Sequence, residues 1–185
     1  MDIEKIQMNI NQIRDRIKGV CERTGRKYED IRLIVVSKTV DINRIKAAYD
    51  AGIRDFGENY VQEMREKIGL LPKDIRWHFI GSLQTNKIKY LVGNTEYIQT
   101  VYKREHLIEI DKRAVKQGIV SKVLIEVNIG MEQNKSGVSE HGVENLVRYS
   151  QDLKHLQVVG LMCIPPLSEV DVSRKYFKNL RFIKD

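Results

Sequence analysis

Ile34-Val35-Val36-Ser37-Lys38-Thr39 is a short, β-branched apolar run that ends in a single lysine. Such a run reads as a buried strand, and the residues around it decide which kind of sheet it joins. In parallel α/β proteins, ligands gather where strands end and loops begin. A lysine at such a point, its stem packed against strand neighbours, has a route to a neutral, nucleophilic amine. The chemistry that follows is a Schiff base between Lys38 and an aldehyde. The plainer reading is a lysine that caps a buried strand and reaches back to water. On these six residues alone the plainer reading is the more economical, because a lone lysine is no signature.

The flanking sequence repeats a strand-then-helix pattern. Ile3, Ile6, Ile10, Ile13, Ile17 and Val20 recur at helical spacing, with Asp2 as a cap and Gly25 as a stop. Leu33–Ser37 is the first expected strand. Asp41 is placed to cap a helix with Ile42, Ile45 and Tyr49 on one face, closed by Gly52. Further strands are expected over 53–56, 76–81, 97–99, 122–127 and 156–162. Between them fall a helix burying Val61, Met64 and Ile68, one over 84–91, and one with Leu107, Ile110 and Ala114 that ends at Gly118. Ser139 begins another, with Val138 and Val143 spaced as a hydrophobic staple. Ser168 is placed to cap a last helix containing Tyr176, Phe177 and Leu180.

Six βα units thus follow one another at intervals of roughly 20 to 35 residues, which argues for a parallel sheet covered by helices. A doubly wound open sheet and a (β/α) barrel both fit. No glycine-rich dinucleotide fingerprint follows the first strand and there is no P-loop, which weakens the open-sheet nucleotide readings. A barrel closes with eight strands and typically about 250 residues. The expectation is therefore an α/β, (β/α)8 TIM-type barrel of which about six βα units are present, as one domain over 1–185.

Composition narrows the function. The chain has 185 residues, 42% apolar and 31% charged, as in ordinary globular domains. Its 32 Lys and Arg against 25 Asp and Glu give a formal charge of +7, which suits an anionic ligand. Acidic residues interrupt the basic ones, and no aromatic-basic stretch offers stacking for bases, so nucleic-acid binding is not expected. No apolar run approaches the roughly 20 residues of a membrane span, and a charged amphipathic N-terminus points to the cytoplasm. Cys21 and Cys163 lie far apart without metal-ligand spacing and read as reduced, structural thiols.

Several expected strand ends carry residues able to meet a ligand: Lys38, Asn59, His78, Asn128 and Met162. In a parallel barrel these positions share one rim. Each has a plainer account. Asn59 could cap the next helix, and His78 could be a buried, hydrogen-bonded histidine. Asn128 could hold its own turn, Met162 could fill core space, and Gly130 and Gly137 could be turn glycines.

Five motifs carry a resemblance. They are Val35-Val36-Ser37-Lys38-Thr39, Phe56-Gly57-Glu58-Asn59-Tyr60-Val61-Gln62-Glu63 and Trp77-His78-Phe79-Ile80-Gly81-Ser82-Leu83-Gln84-Thr85-Asn86-Lys87. Val127-Asn128-Ile129-Gly130 with Lys135-Ser136-Gly137-Val138, and Gly160-Leu161-Met162-Cys163-Ile164-Pro165-Pro166, complete the set. In this order they resemble the pyridoxal-phosphate homeostasis proteins, whose fold is similar to the N-terminal barrel domain of alanine racemase. The resemblance reverses the odds on Lys38. It implies that Lys38 holds pyridoxal 5′-phosphate as a Schiff base in a cytoplasmic protein that helps regulate cofactor supply without known turnover. It further implies that Asn59, His78, Gly81, Asn128 and Met162 line the pocket. Apoenzymes that depend on the cofactor are the implied partners, and a monomer the implied state of the full-length form.

Members of this family continue past the last helix with two more βα units. Those carry a Ser/Gly-rich loop and an Arg-Ile-Gly segment for the cofactor phosphate and ring, and no residues here match them. The expectation is a shortened barrel whose open edges permit self-association and which holds its cofactor weakly. The alternative function is a barrel-type amino-acid racemase, but two-base racemization needs a second acid/base on the opposite face of the cofactor. In the alanine racemase family a separate β-domain supplies it. On these expectations the 185-residue chain loses bound pyridoxal phosphate on dialysis, and near-ultraviolet absorbance that survives dialysis would contradict the weak-binding expectation.

Overall fold

The computed structural model describes residues 3–184. The chain groups into two compact units, Met1–Trp77 and His78–Asp185.

The first unit opens with α1 (Ile3–Thr24), followed by Gly25 at φ +66°. The Asp2 cap lies outside the described residues. Ile10 and Cys21 are buried, while Ile3, Ile13 and Val20 remain exposed, so only part of the apolar stripe finds a partner. Arg14 ties α1 to the turn after α2 (Ile42–Asp50), donating to the carbonyls of Ala51 at 2.8 Å and Gly52 at 3.2 Å. Asp41 caps α2 as expected, its carboxylate accepting from the Asn43 and Arg44 amides.

Strand β1 is only Val35–Val36, shorter than the apolar run, because the chain turns immediately at Ser37. Strand β2 is Asp55–Glu58, two residues later than expected. The exit of α2 explains the shift. Gly52 adopts φ +85° and the Ile53 amide bonds back to the Ala48 carbonyl, so both residues belong to the helix stop. Val35 pairs with Phe56 and Val36 with Gly57, in parallel. Helix α3 (Val61–Leu70) buries Met64 and, unexpectedly, Lys67; Ile68 is only half-buried.

Strand β3 (Arg76–Phe79) spans the boundary between the units. The second unit continues with β4 (Tyr97–Val101), α4 (Arg104–Gln117), β5 (Ser121–Glu126), α5 (Glu140–Ser150), β6 (Leu156–Met162) and α6 (Val170–Lys184). The expected helix over 84–91 is instead a 3-10 segment, Thr85–Tyr90. Its buried residue Ile88 and the buried C-cap Leu91 are three apart, the period of a 3-10 turn, and bonds such as Lys87 N–H to Gln84 O span three residues. Helix α4 buries Leu107, Ile110 and Ala114 and ends on Gly118 at φ +65°, as read from the sequence. Ser139 caps α5 through the Gly142 amide.

Helix α6 buries no residue. Ser168 does not cap it: the hydroxyl donates to Pro166 O and faces the Ser173 hydroxyl at 3.0 Å.

Strands β1 and β2, β3 and β4, β4 and β5, and β5 and β6 pair in parallel, and the strand order is β1-β2-β3-β4-β5-β6. A doubly wound sheet reverses its order at a switch point; this one does not. Sequential parallel order with intervening helices is the arrangement of a TIM-type α/β barrel, six strands of which are present.

Beyond β5 the chain folds back on itself. Val138 N–H bonds to Glu126 O and Asn128 N–H to Val138 O, a short parallel bridge. Gly137 makes this approach possible. It sits at φ +110°, and a Cβ there would lie 2.6 Å from the Asn128 nitrogen. Gly137→Ala therefore combines a forbidden backbone region with a backbone clash and should cost roughly 2 kcal/mol or more, measured as a lower urea midpoint; a change within ~0.5 kcal/mol would contradict the packing described.

Candidate functional site

Lys38 lies in the turn that ends β1. Val40 N–H bonds to Ser37 O at 3.1 Å, leaving Lys38 and Thr39 as the two central residues. Thr39 adopts φ +58°, in the left-handed region that a β-branched residue occupies at a cost of about 1–2 kcal/mol. The turn is fixed by its surroundings rather than by its own preference. Thr39 N–H donates to Glu63 Oε1 at 2.6 Å, and the Thr39 hydroxyl donates to Lys38 O at 2.7 Å. Ser37 N–H bonds to Gly57 O of β2, and the Ser37 hydroxyl donates to Glu58 Oε1 at 2.7 Å. The Lys38 side chain is exposed, and its amine has no hydrogen bond or ion pair among the described residues.

Asn59 follows β2, whose neighbour in the sheet is β1. The helix-capping alternative does not hold, because Tyr60 is the N-cap of α3 and no side chain caps that end. The Asn59 amide is half-buried and makes no hydrogen bond among the described residues. Two neighbouring strand ends in the first unit thus present an amine and an amide whose hydrogen-bonding groups remain available.

The second unit places its candidates differently. His78 is buried on β3, stacked on Tyr97 of β4 at 5.3 Å between centroids, with Nδ1 2.9 Å from Gln99 Nε2. Gly81 is buried just beyond that strand, and its carbonyl accepts from the Thr100 hydroxyl at 2.6 Å. Asn128 spends its side chain on its own loop: Nδ2 donates to Glu132 O at 2.8 Å and Oδ1 accepts from Glu132 N–H at 3.1 Å. Met162 ends β6 half-buried, pairs in register with Glu126 of β5, and accepts from Val127 N–H at 2.8 Å. Asn128 and Met162 are therefore brought to adjacent strand ends.

Several polar residues at these positions escaped the sequence reading. Glu58, Lys67, Gln99 and Glu126 are all buried. For Lys67 a signal existed: it lies three residues after Met64 on the buried face of α3 and four after Glu63. Glu126 is an acidic residue within a β-branched strand. Its Oε2 is buried without a hydrogen-bond partner, and burial pushes its carboxyl above the usual range.

An open groove of about 1340 Å³ runs between α5 and β6, but none of the six candidate residues lines it. Among the described residues no group of His, Cys, Asp or Glu is arranged to hold a metal ion. Among them, too, no helix is long and apolar enough to cross a membrane.

With strand order and strand-end residues in place, comparison with known proteins gives the class. The family profile described as "Alanine racemase, N-terminal domain" matches residues 1–185, and the chain belongs to that family. Its kinship within the family is with the pyridoxal phosphate homeostasis proteins. That of Aquifex aeolicus (strain VF5) is 42% identical over 178 residues, covering 95% of this chain and 78% of the relative. Among solved structures, PipY of Synechococcus elongatus PCC7942 with PLP bound superposes with a TM-score of 0.77 at 28% identity, over 91% of this chain and 79% of that one. Alanine racemase of Clostridium difficile 630 shares the fold, with a TM-score of 0.75 at 17% identity over 97% of this chain and 46% of its own.

Glu126 sets a pH dependence. Its folded carboxyl binds its proton more tightly than the unfolded one, so stability is greatest below the ordinary glutamate range and falls as pH rises toward the folded value. Glu126→Gln keeps the shape and removes the charge. It should stabilise the chain on the order of 1 kcal/mol at pH 7 and leave it nearly unchanged at pH 4, in urea titrations at both values.

Proposed function

We propose that this chain binds pyridoxal 5′-phosphate covalently through Lys38 and serves to hold and regulate intracellular supply of the cofactor, without turnover of its own. The observation that carries the reading is the Lys38 turn: a constrained corner that holds out an amine with no competing partner among the described residues. An amine with a fixed stem and an available head suits condensation with an aldehyde, in which the nitrogen joins the carbonyl carbon and water leaves. The bound cofactor supplies that aldehyde.

The other candidate residues divide by what each side chain can still do. Asn59 has an available amide for a polar substituent of the ring. Met162 offers a soft apolar contact, and Gly81 brings a backbone that carries no side chain. His78 Nδ1 is engaged with Gln99 and the Asn128 amide with the 128–135 loop, so Asn128 acts through shape and position. The kinship with homeostasis proteins, and the pyridoxal phosphate in PipY, support this reading. It carries with it a cytoplasmic location, transfer of cofactor to dependent apoenzymes, and a single barrel domain. The likeness to alanine racemase is one of fold and lends a racemase little support.

The test is mass spectrometry after incubation with pyridoxal phosphate and borohydride reduction. One pyridoxyl phosphate should map to the peptide containing Lys38, and Lys38→Ala should lose at least about 90% of it, the loss expected when the nucleophile itself is removed. Labelling spread over surface lysines, or undiminished in Lys38→Ala, would overturn the assignment. Incubation with L-alanine should yield no D-isomer; its appearance would favour the racemase.

A further inference from the structure

The Lys38 turn is gripped from two directions by a buried ionic network. The Lys67 ammonium, on α3, donates to Glu58 Oε1 of β2 at 2.7 Å, to Glu63 Oε1 at 2.7 Å and to Ser37 O at 2.6 Å. Ser37 O is the acceptor that closes the turn, and Glu63 Oε1 is the acceptor of the Thr39 amide. One cation and two carboxylates therefore fix both the first residue of the turn and its left-handed third residue. Lys67 is 5% exposed and Glu58 fully buried, whereas the Glu63 side chain keeps 24% of its exposure.

Stability alone does not account for this arrangement, because a buried ion pair gains little over apolar packing of the same volume. What the network specifies is conformation. Without the Glu63 acceptor, Thr39 loses the bond to its amide that offsets an unfavourable φ, which favours relaxation of the turn toward negative φ. That relaxation re-aims the Lys38 stem.

We propose that Glu58, Lys67 and Glu63 form a positioning device that locks Thr39 in the left-handed conformation and so aims the Lys38 amine at an incoming aldehyde. The inference rests on Lys38 being the residue that joins the cofactor. Glu63 acts through the turn, not on the ligand.

Glu63→Ala is the informative variant, since it leaves the Lys67–Glu58 pair intact and removes only the partly exposed arm. Two readouts are needed. The first is amide hydrogen exchange at Thr39 without ligand, expected to accelerate about tenfold or more while Phe56 in β2 stays protected. The second is the rate of borohydride-trapped labelling of Lys38 by pyridoxal phosphate, expected to fall on the order of tenfold through lost orientation. Adding Thr39→Asn, a residue that tolerates left-handed φ, should recover much of that rate although the carboxylate is still missing.

Unchanged Thr39 exchange in Glu63→Ala overturns the proposal. So does labelling within about twofold of the parent once Thr39 protection is lost, or a labelling defect that Thr39→Asn does not repair. A parent chain unlabelled at Lys38 overturns the covalent reading and this inference with it. A labelled parent with an equally labelled Glu63→Ala overturns the inference alone.

Discussion

A single ammonium group holds the end of β1 in place. Lys67 Nζ is shared among two carboxylates and one main-chain carbonyl, each at 2.6 to 2.7 Å. Removing charge from water is expensive. Here three acceptors replace the lost hydration, and each belongs to a different stretch: β2, the first turn of α3 and the β1 turn. Through them the short strand Val35–Val36 gains an anchor that its few ladder bonds cannot supply. The turn beyond it can then keep a threonine at φ +58°.

Asp55 repeats the principle near the other end of β2. Its buried carboxylate takes the Arg76 guanidinium at 2.9 and 2.6 Å, a paired contact from the next strand. Strand β2 is thus buried along its whole length, with a charged residue at each end and Phe56 and Gly57 between. The acidic pair Asp55 and Glu58 fixes β2 to its surroundings by directional bonds where apolar packing alone would allow sliding.

Much of this was legible in the sequence, and the failures have physical causes. Asp41, Gly118 and Ser139 were readable because caps act locally, between groups a few residues apart. Strand β6 has its expected limits because the apolar run and the prolines after it agree. Strands β1 and β2 differ from the apolar runs that announced them, since turns and helix exits claim backbone groups regardless of hydrophobicity. The 84–91 segment carries apolar residues at a spacing that an α-helix and a 3-10 turn both satisfy, and backbone bonds decide between them. Lys67 carried only the faint signal of its spacing from Met64 and Glu63, against the general rule that lysines lie outside. Only the fold reveals that Glu58 and Ser37 O wait for it. Likewise, the sequence marked His78 and Asn128 as polar strand-end residues, but not that Gln99 and the loop carbonyls already occupy them.

Helix α6 has a different consequence. Phe177, Phe182 and Val170 lie on a helix that buries none of its residues, and Leu167 before it is fully exposed. Water around such a surface is a cost that the solvent itself can raise or lower. Sulfate or phosphate, excluded from protein surfaces, strengthens the tendency of these side chains to leave water; urea weakens it. The chain's colloidal behaviour thereby becomes a function of salt identity as well as of its +7 charge. Buffers rich in excluded anions drive α6 toward any apolar surface within reach, and weakly denaturing ones leave it in solution.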